Sequence, residues 1–436
     1  MKNVLVLGAG LVSRPLVHYL LKKELNVKVA SRTVSKAEAL VKGFSNGVAE
    51  ALNVKNEAQL EKLVGENDLT ISLLPYTYHV QVAKLCLKHR KQLITTSYVS
   101  KAMQELHEEA KKAGILILNE IGLDPGIDHM SAMKIIHEVE EKGGMVVSFR
   151  SYCGGLPAMQ HNNNPFGYKF SWSPRGVVMA GRNNGQFLED GEVVFIPGRD
   201  LFKHYEILDI DGVGTFEAYT NRDALPYQEL YGLKDAHTIF RGTLRNLGWC
   251  YTMKKAQELG LFDDASRQDL KGITYKDMMQ KLIGVDECYD IVEETALFLG
   301  LEPHATPIKH FEWLGLFDEE PLPEEDNVMD MFAALLLKRL SMEKDDLDLI
   351  VLHHRFIAEY PGREEFITST LVDTGIPKGD SAMSRTVSLP AAIAANLILR
   401  GDIKMAGVQI PVMSEIYQPV LKELETMGVK FIEKTR

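Results

Sequence analysis

Val4-Leu5-Val6-Leu7-Gly8-Ala9-Gly10-Leu11-Val12-Ser13-Arg14-Pro15 opens the chain, and a second apolar run, Val27-Lys28-Val29-Ala30, ends at Ser31-Arg32-Thr33. Apolar residues bounded by glycine predict a buried parallel strand, and residues 11–21 carry apolar side chains at helical spacing. The order is strand, tight turn, helix. Gly8 permits the turn, Gly10 lets a pyrophosphate approach the backbone, and the helix N-terminus offers unpaired N–H groups at the positive end of its dipole. With Leu11 and Val12 these residues form a candidate dinucleotide site. Ser13 stands where the third glycine of such a motif is usual; it either sets the helix slightly farther from the strand or donates a hydrogen bond to phosphate.

At the end of the second strand a dinucleotide fold commonly places a carboxylate on a ribose 2′-hydroxyl. Arg32 occupies that place. A carboxylate would repel a 2′-phosphate, whereas a guanidinium flanked by the hydroxyls of Ser31 and Thr33 matches it in charge and in donors. NADP(H) is the expected cofactor; the competing reading is a solvated loop arginine after an ordinary strand.

The chain has 436 residues, 45% of them hydrophobic, and a net charge of −11. That length allows two or three compact units. The acidic balance, without a broad basic run, argues against nucleic acid, so an anionic substrate needs a local basic pocket. Met1 lies two residues before the first core strand, and no apolar stretch reads as long enough to span a membrane. A cytoplasmic protein is expected. Cys86, Cys153, Cys250 and Cys288 are scattered without metal-ligand spacing, which points to reduced thiols and no metal. Adjacent His353 and His354 on a strand point to opposite faces, which predicts one buried and one exposed ring.

Further strands are expected over 47–54, 69–74, 92–96 and 115–118, with helical patterns between them such as 78–89 and 102–113. The fold class is α/β: a Rossmann-type doubly wound parallel sheet, which binds ligands beyond the carboxyl ends of its strands. Those ends are Asn53-Val54, Leu74-Pro75, Thr96-Ser97-Tyr98 and Asn119 to Gly126. From Met145 the pattern becomes β-rich, over 193–196, 205–208 and 215–220. Charged helical stretches punctuated by prolines follow. Apolar strands at 347–360 and 366–373 precede an Ala-rich helix at 389–400, with Pro390 in its first turn and Gly401 past its end. The expected domains are 1–128 with 388–436 for the nucleotide, 129–263 with 344–387 as an α+β substrate and dimerisation domain, and 264–343 as a helical insertion.

Residues 151–176 read as a long loop with little periodicity and several aromatics, a functional loop or an ordered arm. Arginine suits bidentate recognition of carboxylates, so Arg222, Arg241 and Arg245, each beside turn residues, are candidates to hold a substrate with several carboxylates. A surface ion pair is the alternative for any one of them.

Taken in order, the Gly-x-Gly opening, Leu73-Leu74-Pro75-Tyr76, Thr96-Ser97-Tyr98-Val99, Asn119-Glu120-Ile121-Gly122-Leu123-Asp124-Pro125-Gly126-Ile127-Asp128-His129, Ser151-Tyr152-Cys153-Gly154-Gly155-Leu156-Pro157, Tyr168-Lys169-Phe170-Ser171-Trp172-Ser173, Asn221-Arg222-Asp223 and Arg241-Gly242-Thr243-Leu244-Arg245 resemble the saccharopine dehydrogenases of the glutamate-forming type. The resemblance spans nearly the whole chain. It implies oxidation of a secondary amine to an imine, with hydride passing to nicotinamide, then hydrolysis to glutamate and 2-aminoadipate semialdehyde, and the reverse condensation. It places Ser97, Tyr98, Asp124, Arg222, Thr243 and Arg245 at the substrate. Gly10 to Ser13, Ser31 to Thr33, Asn53, Val54, Leu74, Leu123 to Pro125 and Ser173 match cofactor contacts. It also suggests a homodimer. The chemistry calls for one or two acid–base groups, and Asp124, Tyr98 and Cys153 are the candidates. The chain departs from the family at Ala158-Met159-Gln160 and at Ala224. Rival readings are another imine reductase of the opine type, such as one making carboxynorspermidine, and a non-catalytic NADP-binding sensor.

Overall fold

Val4, Leu5, Val6 and Leu7 are all fully buried, because strand β1 (Asn3–Leu7) lies inside a parallel sheet covered on both faces. The computed structural model describes residues 1–172, 174–286 and 290–436. The chain divides into two units: Met1–Val146 with Ala358–Glu365 and Ser369–Arg436, and Val147–Ile357 with Phe366–Thr368.

In the first unit helices alternate with strands: α1 (Ser13–Lys22), β2 (Asn26–Ser31), α2 (Val34–Val41), β3 (Gly47–Ala51), α3 (Glu57–Glu66), β4 (Leu69–Ser72), α4 (His79–His89), β5 (Gln92–Thr95), α5 (Lys101–Gln104), α6 (His107–Ala113), β6 (Leu116–Leu118) and α7 (Ile127–Glu141). The strand order is Gly407–Gln409, β6, β5, β4, β1, β2, β3. Sequence order reverses between β1 and β4, and the crevice outside their carboxyl ends is the binding place of such a sheet. Leu7 is in register with both Ala30 and Ser72, so the turns leaving β1, β2 and β4 start level. The helix expected over 102–113 is split at Glu105-Leu106, where Leu106 bonds back to Met103 and turns its side chain inward.

Three expectations change in this unit. It runs to Val146, past the boundary expected at 128, because α7 packs against the Ser414–Thr426 helix of the same unit. The Ala-rich helix starts at Ala382, capped by the Ser381 hydroxyl, which accepts from Ser384 N–H at 3.1 Å. Pro390 therefore lies inside it, while Gly401 ends it at φ 79° as expected. This helix also has the length and apolar composition to cross a membrane, contrary to the sequence reading. Its apolar side chains are instead buried in the unit's own core, much of it against α1.

The second unit is built on β7 (Met145–Pro157), β8 (Gly185–Glu189), β9 (Glu192–Ile196), β10 (Tyr205–Ile210), β11 (Gly214–Thr220), β12 (Thr238–Arg245) and β13 (Asp348–Tyr360), in the order β10-β11-β12-β7-β13 with the β8–β9 hairpin joined to β12. Helices Trp249–Glu258, Tyr275–Ile283, Ile291–Phe298, Thr306–Leu314 and Val328–Arg339 share one apolar core with Phe166, Tyr168, Phe170 and Tyr219. The stretch 264–343 is helical as expected, but this common core makes it part of the second unit. The expected loop at 151–176 begins as the end of strand β7, and its Phe166, Tyr168 and Phe170 lie in that core, while Tyr152 packs in a separate cluster. His353 and His354 are both buried, against the expectation of one exposed ring, since β13 is covered on both faces. Cys86, Cys153 and Cys250 form no disulfide; Cys288 lies outside the described residues.

Candidate active site

The turn after β1 is shaped by two glycines with different reasons. Gly8 has φ 112°, and a Cβ on it would lie 3.0 Å from the Leu73 carbonyl oxygen beyond β4, so only glycine fits without strain. Gly10 meets nothing within 4 Å of such a Cβ. Its bare face opens outward, the place a pyrophosphate needs. Ser13 is fully buried; its hydroxyl accepts the Gly10 N–H at 3.0 Å and donates to the Gly8 carbonyl at 3.3 Å. Both bonds of the Ser13 hydroxyl stay within its own turn. Its only proton goes to Gly8, so the residue braces the loop from inside.

Helix α1 begins with no side-chain cap and no acidic residue in its first turn. An anion is the natural complement to such an end. Arg32 and Thr33 are exposed just past β2, and Arg32 makes no hydrogen bond or ion pair among the described residues. Its guanidinium is available to a 2′-phosphate. Leu11 is exposed and Val12, Ser31, Val54 and Leu74 are half-buried around the strand ends, while Asn53 is exposed and accepts the Lys55 N–H at 3.1 Å. These residues fit NADP; Ser173 lies outside the described residues.

Beyond β5 and β6 the chain brings two acid–base candidates together. The phenol of Tyr98 donates to Oδ1 of Asp124 at 2.9 Å, and both side chains are half-buried. The turn carrying Asp124 is closed by Gly122 N–H to the Pro125 carbonyl at 2.9 Å, with Leu123 and Pro125 buried beneath and the Asp124-Pro125 peptide cis. Gly126 has φ 147° and a Cβ there would fall 2.1 Å from the Gly122 oxygen, so the turn requires glycine.

Ser97 is held by a residue that the sequence reading passed over. His79, buried at the start of α4, has Nε2 at 2.9 Å from Ser97 Oγ and 3.1 Å from Thr95 Oγ1, and Nδ1 at 3.0 Å from Ser72 Oγ. Burial lowers its pKa to about 4, so the ring is neutral near pH 7. Only the contact between α4 and the sheet reveals it, since helical periodicity cannot distinguish this histidine from a core one.

In the second unit Arg241, Thr243 and Arg245 alternate along β12 and so share one face of the sheet. Cys153 is in register with Thr243 on the adjacent strand β7, which places the two on neighbouring positions of that sheet. Arg245 is 5% exposed, with its guanidinium stacked on Tyr168 at 4.9 Å and Trp249 at 5.4 Å. Its Nη1 donates to the Leu244 carbonyl at 2.8 Å, Nε has no partner, and no carboxylate pairs with it among the described residues. A buried cation left in this way is poised for an anion from outside the protein. Arg241 differs: it is bonded to and stacked over Tyr227, at 2.5 Å to the hydroxyl and 4.4 Å to the ring. That packing ties one nitrogen of Arg241 to Tyr227 and supports the sheet there. Arg222 has φ 62° in an exposed turn that Asn221 N–H ties to the Arg241 carbonyl at 2.7 Å. Burial pushes the Cys86 thiol up to about 12 and raises Cys250 as well, which leaves half-buried Cys153 as the accessible thiol of the three.

Residues 4–118 match the family model described as "Saccharopine dehydrogenase NADP binding domain", and residues 122–429 match "Saccharopine dehydrogenase C-terminal domain". The chain is 40% identical over 445 residues to saccharopine dehydrogenase [NADP(+), L-glutamate-forming] of Schizosaccharomyces pombe, covering 100% of this chain and 99% of that one. With the enzyme of the same name from Saccharomyces cerevisiae it shares 39% over 443 residues, covering 100% and 99%. It is also 38% identical to mitochondrial alpha-aminoadipic semialdehyde synthase of Mus musculus, across 99% of this chain and 47% of that longer protein. Apo saccharopine dehydrogenase (L-Glu forming) of Saccharomyces cerevisiae superposes with a TM-score of 0.91 at 38% identity, covering 100% of each chain. The glycine turn after β1, exposed Arg32 past β2 and buried Arg245 agree with these matches: the chain belongs to the saccharopine dehydrogenase family.

Proposed function

We propose that this protein is an NADP-dependent saccharopine dehydrogenase of the glutamate-forming type, oxidising the secondary amine of saccharopine and releasing L-glutamate and 2-aminoadipate 6-semialdehyde, and catalysing the reverse condensation. The observation that carries this reading is Arg245, a buried guanidinium whose Nε has no hydrogen-bond partner and which no carboxylate pairs with among the described residues. Saccharopine bears three carboxylates, and one of them in contact with Arg245 removes the cost of burying that charge. Gly8 to Ser13, Ser31 to Thr33, Asn53, Val54 and Leu74 would hold NADP+, which when bound would supply the hydride acceptor.

Asp124 takes the proton from the secondary ammonium, freeing the nitrogen lone pair that must form the C=N bond as hydride leaves. Tyr98 orients the Asp124 carboxylate through its hydrogen bond. A water molecule then adds to the imine carbon, and the proton returned to nitrogen lets glutamate depart as an amine. Ser97, set by neutral His79, and Thr243 and Arg222 supply further polar contacts to substrate. Cys153 lies one position across the sheet from Thr243 and serves as a secondary acid–base candidate.

Initial rates with NADP+ or NAD+ and saccharopine test this. Reduction of NADP+ that depends on saccharopine, with release of glutamate, is expected; no turnover with saccharopine sinks the reading, and activity on an amine with fewer carboxylates would favour an imine reductase of another substrate class. A cytoplasmic homodimer completes the proposal. The unbridged Cys86, Cys153 and Cys250 suit a reducing compartment, and the exposed apolar residues Val193 and Phe195 of β9 and Ile207 of β10 suit a covered edge. Light scattering of the purified protein gives its mass in solution; a monomer rejects the dimer.

A further inference from the structure

Glu120, between β6 and α7, is a non-glycine residue in the left-handed region at φ 55°, and it is 7% exposed. Such a conformation persists where surrounding bonds over-determine it. Three bonds do so. Its N–H donates to the Ser97 carbonyl at 3.1 Å, its Oε1 accepts the Val99 N–H at 2.8 Å, and its Oε2 lies 2.8 Å from Nε2 of His129, which is fully buried in the first turn of α7. Ser97 and Val99 flank Tyr98. Glu120 therefore grips the backbone on both sides of the residue whose phenol meets Asp124, and it is itself part of the turn that carries Asp124. Asp128, the other buried carboxylate of this turn, is engaged by the N–H groups of Gly126 and His129 at 2.5 and 2.8 Å. It braces the far end of the same loop.

We propose that Glu120 is a positioning residue that holds Tyr98 against Asp124, with His129 fixing the orientation of its carboxylate. The kinetic consequence rests on the function proposed above; the clamp itself does not. A displacement on the scale of an ångström at a proton-transfer pair lowers the rate about 100-fold. Glu120→Ala is expected to lower kcat for saccharopine oxidation roughly 10- to 100-fold while leaving KM for NADP+ within about twofold. Glu120→Gln, which keeps an acceptor for Val99 N–H, restores part of the rate. In a Tyr98→Phe background Glu120→Ala changes kcat less than about twofold, because residues acting as one unit are not additive. An equal loss in both backgrounds overturns the proposal.

Hydrogen exchange of the full chain supplies a second reading that needs no substrate. In Glu120→Ala the Val99 amide exchanges faster while β1 and α1 keep their protection. Unchanged exchange at Val99, or loss of protection throughout the first unit, rejects the positioning role. Should the wild-type protein fail to oxidise saccharopine while Val99 responds as stated, the function falls and the clamp stands.

Discussion

The phenol of Tyr98 and Oδ1 of Asp124 are joined by a 2.9 Å hydrogen bond that links the end of β5 to the turn after β6. A carboxylate so held is a localised base. Asp124→Asn keeps the shape and removes the basicity, and the expected loss in kcat is about 10²- to 10⁴-fold. Tyr98→Phe, which frees the carboxylate to turn, is expected to cost less. The pH profile of kcat distinguishes them: an unchanged profile in Asp124→Asn means the base lies elsewhere.

Arg32 stands exposed past β2 and forms no ion pair among the described residues, so substitution tests recognition without disturbing the fold. Hydrogen bonds to a charged group contribute about 1.5–3 kcal/mol. Arg32→Ala should therefore raise KM for NADP+ by roughly 10- to 100-fold, with KM for NAD+ nearly unchanged. Steady-state kinetics with both coenzymes reads this, and a wild-type preference for NAD+ refutes the role.

Arg245 sits buried without a carboxylate partner among the described residues, an arrangement that suits a ligand more than stability. Arg245→Met retains apolar packing against Tyr168 and Trp249 and removes the charge. The thermal midpoint should hold or rise, as it does when a buried charge gives way to an apolar residue of similar volume. Saccharopine should stabilise the wild type against heat and fail to stabilise the variant. Thermal scans with and without saccharopine decide it, and a marked fall in the midpoint without ligand would show that the guanidinium is a structural prop.

Gly8 and Gly10 separate fold from ligand binding. Gly8→Ala places a Cβ 3.0 Å from the Leu73 oxygen at φ 112°, which should destabilise by about 1–3 kcal/mol. Gly10→Ala meets no protein atom within 4 Å and should leave stability almost unchanged while weakening NADP+ binding. Urea titrations and coenzyme binding measured on both variants would show the split; equal loss of binding without destabilisation in Gly8→Ala contradicts it.

Two buried histidines tie stability to pH. Burial depresses His79 to about 4, and burial together with the nearby Arg355 charge depresses His353 to about 4. Each binds a proton more readily unfolded, at about 6.5, than folded. Stability is thus complete above pH 6.5 and is lost as pH falls toward 4, by up to about 3 kcal/mol for each ring. Denaturant midpoints should decline over that interval, and His79→Gln should flatten the decline. A slope unaffected by His79→Gln assigns the acid sensitivity to other groups.

Local chemistry made part of this protein legible from sequence alone. The run of apolar residues in β1, the glycine turn, the alternation of strands with helices and the basic Arg32 follow from backbone sterics, periodicity and charge within short stretches. So does the helix end at Gly401. Whether a polar side chain is committed or available depends on residues far away in the chain, and this the tertiary structure alone decided. Arg241 and Arg245 read alike in sequence, yet the hydroxyl and ring of Tyr227 engage one while Tyr168 and Trp249 stack on the other, which pairs with no carboxylate among the described residues. Ser13 turned out to brace its own loop, because its single proton reaches the Gly8 carbonyl. His79 and Glu120 gained their meaning only when α4 and the β6–α7 turn closed on the ends of neighbouring strands. Periodicity and propensity act over a few residues, whereas burial and hydrogen-bond partnership arise from distant segments packed together.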